Sequence, residues 1–128
     1  MRILDAGSSL FGNRRGGVAR DWTPRPCNPA VITDDNVHDI APANATGRYF
    51  LSWLLDTNAD ATVGTLVTIH DDQGNTLARG YAAAGGGEWA IAFPIGSMPR
   101  TGLNAILQVT CATTNAEVYV SCGVCLSA

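Results

Sequence analysis

The side chains best suited to chemistry are four cysteines and two histidines. Cys122-Gly123-Val124-Cys125 has the two-residue spacing that grips zinc. A structural zinc site normally adds a second such pair or two histidines, and Cys27 and Cys111 stand alone. Redox exchange at such a pair belongs in a strand-helix-strand setting, which the pattern lacks. Cys111 and Cys122 are therefore expected to be small buried hydrophobes kept reduced, with no cofactor. His38 precedes Asp39 and His70 precedes Asp71. Neighbours on a strand point to opposite faces, so neither pair sets a base against its orienting carboxylate. No Gly-x-Ser-x-Gly elbow accompanies them, and an enzyme is not expected. Asp56-Thr57-Asn58-Ala59-Asp60 begins like a calcium loop, but Ala61 takes the glycine position and Val67 that of the bidentate Glu. An Asx-rich turn between strands explains it with fewer assumptions.

All eight basic residues are Arg, which removes Schiff-base and phosphate-loop lysine chemistry, and nine of the eleven acids are Asp. Arg14-Arg15, flanked by Gly12 and by Gly16-Gly17, is a short basic stretch that could touch phosphates. The formal net charge of −3 and the lack of interleaved aromatic and basic residues argue against direct nucleic-acid binding. No run approaches the roughly 18 apolar residues of a membrane helix, and the start lacks the apolar centre of a signal peptide, so neither a membrane nor standard secretion is expected.

The elements that must position these groups divide the chain. Residues 1–46 hold eight Gly and Pro punctuators and no sustained period, and read as an extended N-terminal arm with a possible short strand at 30–33. Residues 47–128 read as the body, in short alternating runs separated by turns. Charge divides as well: Arg2, Arg14, Arg15, Arg20 and Arg25 outnumber Asp5 and Asp21 in residues 1–25, whereas acids outnumber Arg79 and Arg100 in the body. Phe11 and Trp22 are large aromatics in a segment without its own core, so the body or a partner must receive them.

Within the body, Tyr49 to Leu55 predicts a buried strand. Thr62 to His70 predicts one with Val63, Val67 and Ile69 on one face, and a turn at Asp71 to Asn75 places Gly74 in the left-handed region. Thr76 to Ala82 returns antiparallel, and Trp89, Ile91 and Phe93 share an inward face. The apolar set is odd-numbered in Leu103 to Cys111 and even-numbered in Ala116 to Val124. A hairpin register pairing Val109 with Val118, Leu107 with Val120 and Ala105 with Cys122 follows, and it makes a Cys111–Cys122 bridge improbable. The fold class is all-β: an antiparallel, jelly-roll-like sandwich with an N-terminal arm.

The stretch Asp56 to Ile69, with Leu77-Ala78-Arg79-Gly80-Tyr81 and Ala116 to Ser121, resembles the small β-sandwich capsid decoration (cement) proteins of tailed bacteriophages over about residues 47–124. The resemblance implies a jelly-roll-like homo-oligomer, with a trimer favoured. It would sit on the capsid surface of a virion, made in the host bacterial cytoplasm, and bridge subunits of the major capsid protein. Phe11, Arg14, Arg15, Arg20 and Trp22 are then the expected capsid contacts. A phage tail, fibre or baseplate module would share this build. A carbohydrate-binding sandwich would instead set Trp53, Trp89 or Tyr81 on one flat face.

Overall fold

The computed structural model describes residues 22–127. They form nine strands: β1 (Arg25–Pro26), β2 (Ala30–Ile32), β3 (His38–Ala41), β4 (Arg48–Asn58), β5 (Thr65–Asp71), β6 (Thr76–Ala82), β7 (Glu88–Ala92), β8 (Leu107–Cys111) and β9 (Val118–Ser127), with one 3-10 turn at Ile95–Ser97. Among these residues no helix is long and apolar enough to cross a membrane.

The topology follows from one folded ribbon. The tight turn after Asp71, with Gly74 at φ +90°, sets β6 against β5. Outward from it β4 pairs with β7, β3 with β8 and β2 with β9, all antiparallel. Rolling this ribbon adds the β4–β9 and β5–β8 ladders. The result is a five-stranded sheet, β9-β4-β7 with β1 and β2 both on the free side of β9, facing a four-stranded sheet, β3-β8-β5-β6. This is the strand order of a jelly roll, two Greek keys wrapped into a sandwich.

Period-2 patterning places the core. Leu54 on β4, Val118, Val120 and Cys122 on β9, and Val67, Ile69, Leu107, Val109 and Cys111 on the opposing sheet are all buried between the layers. A bulge between Leu51 and Trp53 shifts the inward set of β4 from Tyr49 and Leu51 to Leu54, Asp56 and Asn58. One extra residue inverts the alternation, which is why Trp53 faces outward.

Four expectations change in the structure. The odd inward set holds within β8 and the even one within β9, but Leu103 precedes the strand and is exposed, and the two strands lie in different sheets and form no hairpin. Val109 does not pair with Val118, because the 112–117 connection crosses the sandwich and the sets oppose each other through the core. Periodicity reports which face is buried and not which strand is adjacent. Trp89, Ile91 and Phe93 are buried only in part: Trp89 on β7 and Phe93 just after it pack against the core, while Ile91 is 37% exposed because β7 is an edge with β4 as its strand partner. Cys122 is not a reduced thiol, since it forms a disulfide with Cys27. Residues 25–41, read as part of an arm, contribute β1, β2 and β3 to the sheets, and β1 carries the chain past β9 so that Cys27 arrives opposite Cys122. The Cys27 N–H donates to the Cys122 carbonyl at 2.9 Å, which fixes the approach.

Candidate functional site

The outer face of the five-stranded sheet is built row by row from the ladder. Val31, Tyr119, Thr57 and Glu88 form one row across β2, β9, β4 and β7; Ser121, Leu55 and Ala90 form the next; Pro26, Gly123, Trp53 and Ala92 the third. Facing residues on adjacent strands point to the same side, so these side chains share one surface. Val31, Trp53, Leu55 and Tyr119 are all exposed on it. Gly123 makes room for the central indole: a Cβ there would lie 2.0 Å from Trp53 Nε1, so any larger residue would displace the ring. Glu88 ends one row, and the Tyr119 hydroxyl donates to Glu117 at 2.6 Å, which holds the phenol's pKa above its usual value. These three rows are otherwise apolar or neutral, and two arginines paired in or beside this sheet, Arg48 and Arg100, lie at its upper end near Phe50.

At its upper end the face is already covered. Phe50 and Cys125 pair across β4 and β9, and the Trp22 ring meets Phe50 edge-on with centroids 5.2 Å apart. The Cys125 thiol donates to the Trp22 carbonyl at 3.3 Å, and Cys125 is buried although it points away from the core. Of the expected capsid contacts, Trp22 therefore packs on the body, while Phe11, Arg14, Arg15 and Arg20 lie outside the described residues. Cys122 faces the core and Cys125 the outer surface, so this pair does not converge on a zinc ion. No group of three or more metal-ligating side chains occurs among the described residues.

Beneath the face, two polar side chains of β4 enter the core. Asn58 is fully partnered: its amide donates to the carbonyls of Val63 and Ala82, and its oxygen accepts the N–H groups of Asp60 and Glu117. Asp56 is fully buried and neither carboxyl oxygen has a hydrogen-bond partner. Burial without a donor penalises the ionised form and pushes its pKa up to about 7. The expected Asx-rich turn is present one step later, where the Asp60 carboxylate accepts the N–H groups of Thr62 and Val63 and its pKa is lowered by them. Asp56 lies inside the strand and takes no part in that turn. The sequence signal that could have separated the two is parity, since Asp56 falls on the face of Leu54 and Asn58.

The four-stranded sheet presents a different outer surface. His70 Nε2 lies 2.7 Å from Thr110 Oγ1, Arg79 Nε donates to Thr68 Oγ1, and Gln108 donates to Asp39. His38 lies 2.7 Å from Asp34, four residues away and not the adjacent Asp39, and this contact lowers the Asp34 pKa. His70 faces the Thr110 hydroxyl, but its other ring nitrogen meets the Asp71 backbone carbonyl at 3.1 Å and not a carboxylate. The three rings that would serve carbohydrate binding are dispersed. Trp53 is on one outer face, Tyr81 opposite Leu66 on the other, and Trp89 over Gly80 at the sandwich edge. An open groove of about 210 Å³ beside the disulfide, floored by Ile40, Tyr49, Val124 and Leu126, is smaller than the roughly 300 Å³ of ordinary ligand sites.

No protein-family model and no curated protein sequence matches the chain. Its fold is similar to that of a chain in the cyanophage Pam1 capsid asymmetric unit, with a TM-score of 0.50 and 11% identity over 99% of this chain and 100% of that one. A chain from the virus-like particle of the extra small virus of the giant freshwater prawn Macrobrachium rosenbergii aligns with a TM-score of 0.38 and 9% identity, over 90% of this chain and 86% of that one.

Proposed function

We propose that this chain is a virion structural protein, a capsid decoration protein that binds the outside of a phage head and bridges subunits of the major capsid protein. The observation that carries the reading is a jelly roll, similar in fold to a chain in a cyanophage capsid asymmetric unit, that leaves one sheet face largely apolar. An apolar, nearly uncharged face can be buried against another subunit without desolvating charge.

Size favours repeated contacts over one strong contact. Four strands about 4.8 Å apart, over five residues at about 3.4 Å each, offer roughly 300 Å² of flat surface. A stable pairwise interface buries about 800 Å² per partner. One such face alone holds weakly, whereas many copies on a symmetric shell gain avidity. The basic segment, with Phe11, Arg14, Arg15 and Arg20, would add the remaining contact to the shell. A disulfide persists in oxidising surroundings, and the exterior of a released virion is one; synthesis in the host cytoplasm would leave the bridge to close afterwards.

Heads assembled without this protein test the reading by co-sedimentation. The full chain should bind saturably in a fixed ratio to shell subunits. A chain lacking residues 1–21, which retains every described strand, should keep its fold and lose binding. Saturable binding by the truncated chain would remove the arm from the interface, and no binding by the full chain would end the proposal. Native mass spectrometry of the free protein reports the oligomer, for which a trimer is expected.

A further inference from the structure

Asp56 stands directly under the outer face. Its strand neighbours Leu55 and Thr57 point outward onto that face, while its carboxyl points into the core opposite Val120 of β9 and Trp89 of β7. On β8 of the opposing sheet Cys111 is also buried in the core, and burial first and the Asp56 charge second push its pKa up to about 11. The other titratable groups near this interior are spoken for. Cys122 on β9 is in the disulfide, and Asp71 lies four residues along β5 from Val67, the Cys111 partner, with donors of its own. His38 on β3 is bonded to Asp34 at the sheet edge, and Glu88 on β7 belongs to the outer face. Among the described residues no cation faces Asp56 from any strand packed against β4.

A carboxyl so placed is tolerated in the core only as the neutral acid, because the carboxylate would need donors or water. The β7 edge is the side of this sheet nearest to Asp56 that has no further strand beyond it. β7 is an edge strand preceded by Gly85 and Gly86, both at positive φ. It meets β6 through the Trp89 ring, which lies so close on Gly80 that a Cβ there would fall 2.1 Å from Trp89 Cε2. We propose that Asp56 is a proton-operated latch beneath the interaction face: with its proton it lets β7 close on β6, and without it the carboxylate draws water past Trp89 and loosens the β4–β7 edge that carries Leu55, Ala90 and Ala92. The latch itself is a property of the free protein, and only its effect on subunit contact rests on the reading of the outer face given above.

Amide hydrogen exchange on the full, disulfide-bonded chain tests it between pH 5.5 and 8.5, after correction for intrinsic rates. Protection of residues 88–92 should fall more than tenfold towards the alkaline end, while that of residues 65–71 falls less. Asp56→Leu, apolar and of similar size, should hold residues 88–92 equally protected at both ends. PH-independent protection in the natural protein, or the same loss in Asp56→Leu, overturns the latch. Should Asp56→Leu fail to fold, the Asp56 carboxyl carbon resonance of the natural protein decides: a midpoint at or above pH 6 that coincides with the loss of protection is expected, and a lower midpoint overturns it. If β7 opens as stated but binding to heads does not change with pH, the latch stands and the outer face is not the interface.

Discussion

The two sheets handle polarity in opposite ways. Apart from the exposed Leu66–Tyr81 pair, the four-stranded sheet is polar and hydrogen-bonded outside, and its one buried carboxylate, Asp71, accepts the N–H groups of Gln73, Asn75 and Gly102 and the Asn75 side chain. Burial alone would push that group up, and the donors outweigh it and hold its pKa below the usual value. The five-stranded sheet is apolar outside and leaves Asp56 inside with no donor at all. One sheet obeys the rules of a solvated, self-sufficient surface, and the other breaks them twice at the same place, above and below β4. Departures from local consistency of this kind collect where a protein meets something else.

Removing the disulfide should give the largest effect, and on the five-stranded sheet first. Cys27 and Cys122 are 95 residues apart in sequence, and closing a loop of that length restricts the unfolded chain by nearly 5 kcal/mol in the chain-entropy account. Replacing both cysteines with serine should lower unfolding stability by about 2 to 5 kcal/mol, read by denaturant titration. Exchange at β1 and β2 should rise before exchange at β5 and β6. Loss spread evenly over both sheets would mean that the bridge staples the whole sandwich and not this edge.

The buried aspartates should give opposite pH limbs. Asp56 has its pKa raised to about 7, so its contribution is complete below the ordinary carboxyl range, near pH 4, and is lost as pH rises through 7. A shift of about 3 units corresponds to roughly 4 kcal/mol across that window. Asp71 has its pKa lowered, so its contribution is present above the ordinary value and is lost as pH falls through the folded one. Asp71→Ala, which strands several N–H donors, should cost about 3 kcal/mol at neutral pH. Thermal unfolding from pH 3 to 9 should show both limbs in the natural protein and lose the alkaline one in Asp56→Leu. An alkaline limb that survives in Asp56→Leu would assign it to another group.

Much of this architecture was legible from residue types alone, for reasons that particular residues make clear. The alternation around Val67, Ile69 and Leu107 to Cys111 requires a half-buried strand, and Asp71 to Asn75 with Gly74 requires a tight turn, because both are local. The pairing of Cys27 with Cys122 is not local: it depends on a two-residue strand containing Pro26, which carries no period. The placement of Trp53 depends on a bulge that inverts parity midway along β4, so the apolar run around it reads as core when half of it is surface. The crossing of 112–117 between sheets left the inward faces of β8 and β9 correct and their adjacency wrong. Asp56 carried the right residue type for chemistry, and its spacing suggested a loop where its parity put it in the core.

The smallest effects test the outer faces directly. Trp53→Ser removes the central ring without touching the core, so stability should change by less than about 1 kcal/mol while binding to heads weakens at least tenfold, as expected for an aromatic at the middle of an interface. His70→Ala on the opposite sheet removes a contact to Thr110 that water can replace, and should change stability by about 0.5 kcal/mol or less and leave binding unchanged. The pair of variants matters more than either alone, because both remove an outward side chain near the middle of a sheet. Equal effects on binding would mean that the contrast between the faces is one of composition only. A loss confined to His70→Ala would move the interface to the polar sheet, where the layer of hydrogen bonds among Thr68, Arg79, Gln108 and Asp39 would have to be read as recognition and not as solvation.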